Sequence, residues 1–175
     1  VVLQTLKKIP KAKVILVGGY AVNAYVPPRF SIDCDLVIFG MTVKIEAILK
    51  EEGFVKIESG EGRYGGYVRF YREREKVSFD LLVDSVQDGE TGIIFEAELI
   101  RRNSAERVTV GRTNPIRIKM RIADPEMLFA MKFVTARKQD VRDVFMLSGE
   151  GLNWDLVERM VHEKCDDKLI KKRNE

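Results

Sequence analysis

Residues 14–38 read VILVGGYAVNAYVPPRFSIDCDLVI. An apolar, β-type run at 14–17 passes directly into Gly18 and Gly19. A helix-compatible segment, 20–25, follows and ends at the Pro27-Pro28 break. A second apolar run, 36–39, is entered through Asp33-Cys34-Asp35. The two glycines let the chain turn sharply and bring bare backbone N–H groups close to a ligand. A helix starting there aims its N-terminal N–H groups and dipole at the same point, which suits a phosphate. On a strand, Asp33 and Asp35 project to one side about 6–7 Å apart, with Cys34 on the other. Two carboxylates beside a phosphate cradle suit a divalent cation, since magnesium takes one or two carboxylates plus phosphate oxygens and waters. The competing reading is a βα turn with glycines for packing and two carboxylates solvating a strand edge.

Further along, 77–83 (VSFDLLV) carries a lone Asp80 inside an apolar run. A charge in a central strand is expensive unless it is paired or metal-bound. If this strand lies beside 36–39, Asp80 completes a three-carboxylate cluster with Asp33 and Asp35. Otherwise Asp80 faces solvent and Asp84 marks the strand end. Strand 77–83 is expected to pair antiparallel with 67–72 around the charged turn 73–75. Before them, Thr42 is a plausible N-cap for a helix running to Glu52 and closed by Gly53, followed by an alternating strand at 54–58. Residues 59–66 are glycine-rich and read as a flap or a hairpin loop.

The second half opens with helix-like content at 92–102, then a hairpin of 107–110 and 116–122 around 111–115. Arg117, Lys119 and Arg121 share one face of that last strand. Such a stripe could hold nucleotide or RNA phosphates, but a solvated outer face is the commoner reading. Asp124-Pro125-Glu126 is a helix start with Asp124 as N-cap. The helix that follows, 126–136, is mostly apolar, so Lys132 within it needs a reason. In one straight helix Lys132 and Asp143 would lie about 16 Å apart, too far to serve one small site. A break near 137–139 is therefore expected, with Asp140 capping a second helix to Leu147. Asn153 caps another amphipathic helix, and 166–173 is a polar terminal one. His162 reads as a surface histidine without a role.

The chain has 175 residues, 45% hydrophobic and 33% charged, which places it with globular proteins holding one well-buried core. No run approaches the roughly 18 apolar residues of a membrane span, and no signal peptide precedes the first strand. Cys34 and Cys165 form neither a metal spacing nor a disulfide framework, so a reducing, cytoplasmic setting is expected. Thirty basic against 27 acidic residues permit an anionic partner without demanding one. A dinucleotide-binding βαβ unit is excluded, because G-x-G-x-x-G is absent after the first strand. The expected division is a core at 1–122 and a helical extension at 123–175 packed on it as one compact unit.

VGGYAVNAY…RFSIDCDL, then FDLL, then ADPEMLFAMKFVTARKQDVRDVFML together resemble nucleotidyltransferases of the DNA polymerase β superfamily. The resemblance is to the small prokaryotic group related to AbiEii-type abortive-infection toxins. Gly18, Gly19, Arg29, Ser31, Asp33 and Asp35 fill its first motif, and Phe79-Asp80-Leu81 its second. Pro125, Glu126, Lys132, Arg137, Asp140 and Asp143 fill the third. The resemblance implies an α+β nucleotidyltransferase fold, a mixed β-sheet with helices packed on it and a C-terminal helical segment. It implies transfer of a nucleoside monophosphate from an NTP to a tRNA or protein acceptor with Mg2+ or Mn2+. A cognate toxin or antitoxin protein is a further implied partner. Asp33, Asp35 and Asp80 would hold the metals, and Asp80 would also help deprotonate the acceptor hydroxyl. Gly18, Gly19, Arg29, Ser31 and Lys132 would handle the triphosphate. Asp140 and Asp143 would position Lys132 or contact the nucleotide. Two departures stand out: the second glycine replaces a phosphate-contacting serine, and bulky Tyr20 sits beside it. The alternative is a silent nucleotide-binding or antitoxin subunit that keeps the fold and acts by contact.

Overall fold

In the computed structural model, which describes residues 1–40, 42–62, 65–110 and 116–174, α1 (Val2–Lys8) leads into β1 (Val14–Val17). Then come α2 (Gly18–Val22) and β2 (Asp33–Ile38). All four residues of β1 are buried, the pattern of a strand covered on both faces. β2 runs antiparallel to it, with Val17 opposite Asp35. Burial alternates at the start of β2: Asp33 and Asp35 are partly accessible while Cys34 and Leu36 are sealed. The two carboxylates thus share the open side.

α3 (Val43–Glu51) ends at Gly53, whose φ of +81° places it in the left-handed region. Thr42 sits at the N-cap position, yet its hydroxyl bonds Glu46 instead of the backbone. An antiparallel meander follows: β3 (Val55–Gly62), β4 (Gly65–Arg72) and β5 (Val77–Val83). The expected loop at 59–66 is instead strand on both sides, with Gly60 opposite Tyr67 and Gly62 opposite Gly65; residues 63–64 lie outside the described set. The glycines there allow close packing and not slack. A Cβ on Gly60 would come within 2.6 Å of the Tyr67 ring, and one on Gly65 within 2.0 Å of the Val83 carbonyl oxygen. β5 then lies parallel to β2, with Asp35 directly beside Asp80.

β6 (Ser85–Gln87) and β7 (Ile94–Glu96) form a separate ribbon before α4 (Ala97–Arg102). The helix expected from 92 therefore begins only at Ala97. Ile94-Phe95 is better used as strand, with Phe95 buried against the core. β8 (Ser104–Val110) and β9 (Arg117–Ala123) are antiparallel, and residues 111–115 of the expected turn lie outside the described set. Ile118, Met120 and Ile122 face the core. On the other face Lys119 pairs with Glu106 at 3.2 Å and Arg121 donates to the Ser104 carbonyl. That is a solvated outer face.

The main sheet has the order β3-β4-β5-β2-β1-β9-β8 among the described residues. Beyond it run α5 (Pro125–Thr135), α6 (Lys138–Ser148), α7 (Trp154–Lys164) and α8 (Asp167–Asn174). α5 is apolar nearly all round because it is enclosed, packing on α2, α6 and α7. Asn153 caps α7, its side chain accepting from the Leu156 N–H. Asp124 occupies the N-cap position of α5 without a side-chain bond. No helix among the described residues is long and apolar enough to cross a membrane.

Candidate active site

Gly18 has a φ of +66°, and a Cβ there would stand 1.9 Å from Asp35 Oδ2. Only glycine lets the turn out of β1 lie against that carboxylate. A Cβ on Gly19 would stand 2.7 Å from Ser31 Oγ and 2.9 Å from Arg29 Nη2, so the 29–31 loop folds over the start of α2. Buried Asn23 fixes this loop by exchanging two 3.0 Å hydrogen bonds with the backbone of Arg29.

Arg29 reaches from the loop to α6. Its Nε and Nη2 donate to the two oxygens of Asp143 at 2.6 and 2.7 Å. Lys132 Nζ joins the same carboxylate at 2.8 Å and donates to Asp140 Oδ1 at 2.8 Å. Asp140 Oδ2 accepts from Thr135 Oγ1 and from Arg137 Nε, both at 2.8 Å. The helix break that permits this falls at Ala136, whose φ of +46° is left-handed. The break is as expected, but Asp140 is not the N-cap. Arg137 takes that position, and Asp140 sits in the first turn, accepting from the Arg137 N–H. Burial alone would raise Asp140, yet Lys132, Arg137 and Thr135 hold it down to about 2. Asp143 is likewise pulled below its ordinary value against its burial, by Arg29 and Lys132.

Across the cleft the acids are less well satisfied. Asp33 Oδ1 accepts from Ser78 Oγ at 2.6 Å. Asp80 is gripped by Arg69, whose Nε and Nη2 donate to its two oxygens at 2.8 and 2.6 Å. Asp35 has no such partner among the described residues. Burial, then the charges of Asp80 and Asp33, push its carboxyl up to about 7 despite Lys132 and Arg137. The backbone aligns all three carboxylates on one face, but Asp33 and Asp80 turn toward Ser78 and Arg69. Among the described residues no three acidic, His or Cys side chains close on one point. The donor set still fits a hard divalent cation: oxygen ligands only, with the Asp35 carboxyl bonded to no cation among the described residues.

Gly18, Asp35, Asp80, Lys132, Thr135 and Arg137 line one cleft of about 240 Å³, with Asp88, Phe95, Leu128 and Met131. Asp140, Asp143 and Arg29 stand behind Lys132 as its support. Gly19, Ser31 and Asp33 lie outside the lining. Two cations were not singled out from the sequence as site residues, Arg69 and Arg137. The hairpin register could have found Arg69: pairing Arg72 with Val77 across the turn places Arg69 opposite Asp80. Arg137 stands in the third motif of the resemblance, but without a role of its own there, and at the helix break no periodicity points it inward. Exposed His162 on α7 is not among the cleft's lining residues, and both cysteines are free and buried.

No protein-family model matches the chain, and no curated protein matches it in sequence. Solved structures do match. ANT(2")-Ia in complex with adenylyl-2"-tobramycin aligns with a TM-score of 0.59 at 18% identity, covering 99% of this chain and 94% of its own. TM1012 from Thermotoga maritima, described as a nucleotidyltransferase, aligns at 0.51 and 14% identity over 85% and 89%. JHP933 from Helicobacter pylori aligns at 0.51 and 18% identity over 90% and 67%. At such identities the likeness is one of fold, and the chain has the nucleotidyltransferase fold: a mixed sheet with helices packed on it.

Proposed function

We propose that this chain is a metal-dependent nucleotidyltransferase, moving a nucleoside monophosphate from an NTP such as ATP to a hydroxyl of a tRNA or protein. The observation that carries the reading is Asp35, register-matched to Asp80, flanked by Asp33 and facing the cleft with no cation bonded to it among the described residues. Asp33, Asp35 and Asp80 would hold Mg2+ or Mn2+, which when bound neutralises the triphosphate and brings attacking and leaving oxygens into line. The residues do the rest. The Gly18 turn lets the triphosphate approach bare backbone, with Gly19 and Ser31 fixing that turn from behind. Lys132 offers a cation to the phosphates, aimed by Asp140 and Asp143, and Arg29 holds Asp143 in place. Asp80 accepts the proton of the acceptor hydroxyl. Positioning and charge neutralisation are most of what phosphoryl transfer needs.

The AbiEii-like kinship, the pairing with a cognate toxin or antitoxin and a cytoplasmic setting belong to this proposal. So does the reading of 123–175 as a helical extension that forms one unit with the core. ANT(2")-Ia is bound to an adenylylated small molecule, so a small hydroxyl compound is a further acceptor class to assay beside RNA and protein. One observation favours the alternative, a silent nucleotide-binding or antitoxin subunit: Asp80 is already neutralised by Arg69.

Isothermal titration with each NTP and magnesium decides between them, on the native chain and on Asp33→Ala/Asp35→Ala. Magnesium-dependent binding that the double variant loses supports the transferase and opens an acceptor search with labelled NTP. If the native chain binds no NTP, the catalytic reading fails and the contact-based one stands.

A further inference from the structure

Arg69 presents a problem for any cation site at the three aspartates. Both of its prongs occupy Asp80, the carboxylate that must also face a metal. The pair is not sealed in: the Arg69 side chain is 41% exposed, so the guanidinium has room to leave. It also has somewhere to go. Directly opposite Arg69 on its other side is Glu58 of β3, so Asp35, Asp80, Arg69 and Glu58 form one row across four strands. Tyr67, two residues from Arg69 on the same face, donates its hydroxyl to Glu58 Oε1 at 2.5 Å, and among the described residues no donor is bonded to Oε2. One arginine therefore stands between two carboxylates, bonded to the inner and within a strand's spacing of the outer.

We propose that Arg69 is a working residue of this site: in the metal-free chain it serves as counter-ion to Asp80, and a divalent cation displaces it onto Glu58. The inference rests on the metal-binding reading given above. It follows from charge balance along the row. Among the described residues, Arg69 on Asp80 is the one cation bonded directly to any of the three aspartates, with Lys132 and Arg137 acting on Asp35 only from across the cleft. When a divalent ion enters, the guanidinium becomes surplus charge on Asp80, and the carboxylate in register with it on the other side is Glu58. The exchange has two defined positions, each with its acceptor already placed, as a bistable switch requires. Arg69 is thus a positioning residue: it sets the orientation of Asp80 and competes with the metal for it.

Two substitutions predict opposite signs, which a purely structural role of Arg69 would not produce. Mn2+ alone is titrated into the intact chain, with free ion followed by electron paramagnetic resonance. Arg69→Gln, which frees Asp80, should bind Mn2+ about tenfold tighter, the scale of one charge-assisted bidentate pair. Its thermal midpoint should fall without metal and recover with it. Glu58→Gln, which removes the receiving carboxylate, should bind Mn2+ several-fold more weakly. Arg69→Lys cannot form the two-pronged contact and carries the same expectation as Arg69→Gln should that variant not fold. If the native chain binds Mn2+ and the Arg69 variants bind equally or less well, the exchange is overturned while the metal site stands. If neither the native chain nor any variant binds Mn2+ at millimolar concentration, the metal-binding reading itself is overturned and this inference with it.

Discussion

Gly18 carries two constraints at once, and they separate experimentally. Its φ of +66° disfavours any L side chain, at a cost of about 1–2 kcal/mol. Its missing Cβ also leaves the space that Asp35 Oδ2 occupies. Gly92 shares only the first constraint, with a φ of +72° and nothing within 4 Å of an added Cβ. Gly18→Ala is therefore expected to cost the strain and to displace the Asp35 carboxylate as well. Gly92→Ala should cost the strain alone. In calorimetric titration with magnesium and NTP, Gly18→Ala should lose binding while Gly92→Ala keeps it. Equal binding by both would detach Asp35 from the site. At this scale much was legible in the sequence, because Gly-Gly and D-x-D differ from their neighbours in chemistry. Arg69 was missed by its chemistry, since an arginine on a strand looks the same whether it faces water or an acid, and only the hairpin register sets it opposite Asp80.

The helix pair α5–α6 owes its geometry to one buried lysine. Lys132, Asp140 and Asp143 are all under a tenth exposed, and the lysine is bonded to both acids. Charges so enclosed are tolerated only as a set. Lys132→Met should destabilise the chain by about 3–5 kcal/mol, because it leaves two buried carboxylates sharing only arginines and a threonine. Thermal melts followed by circular dichroism measure this. A shift no larger than that of an exposed control such as Lys138→Met would show that the acids are satisfied without Lys132. The need for a break between these helices was readable from the sequence, since a straight helix would strand Lys132 far from Asp143. Its exact residue was not readable, because a left-handed Ala136 is chosen by the packing on both sides of it. The same limit explains β6 and β7. Strands of three residues carry too little periodicity to distinguish them from the start of a helix, and Phe95 is committed to strand by the core that receives it.

For the whole molecule, two acids of opposite sense shape the pH dependence of stability. Asp35 has a folded value of about 7 against an ordinary 3.8, so the folded chain keeps a proton that the unfolded chain releases. Its contribution is greatest below about pH 4 and is lost as pH rises toward 7. Asp140, held at about 2, works the other way: its contribution is present above about pH 4 and is lost as pH falls toward 2. The metal-free chain should therefore melt several degrees lower at pH 8 than at pH 5. Asp35→Asn should remove most of that difference, and magnesium at pH 8 should raise the midpoint of the native chain but not of the variant. A profile that stays flat from pH 5 to 8 in the native chain would contradict the raised Asp35 carboxyl. What the sequence by itself determined was the set of elements around the site: the strand–glycine turn, the D-x-D strand, the lone aspartate in a third strand, and a lysine helix that must break. These follow from local chemistry, where turn residues, alternation and a charge in an apolar run act over a few positions. Only the tertiary structure decided which oxygen each cation holds: Arg69 on Asp80, Arg29 and Lys132 on Asp143, Lys132 and Arg137 on Asp140, and, among the described residues, none on Asp35. The Arg69 pairing depends on register between strands, the Arg29 pairing on the path of a loop across α2, and those of Lys132 and Arg137 on where the α5–α6 break falls. The Arg29 pairing joins residues 114 positions apart, beyond the reach of any pattern in a short window.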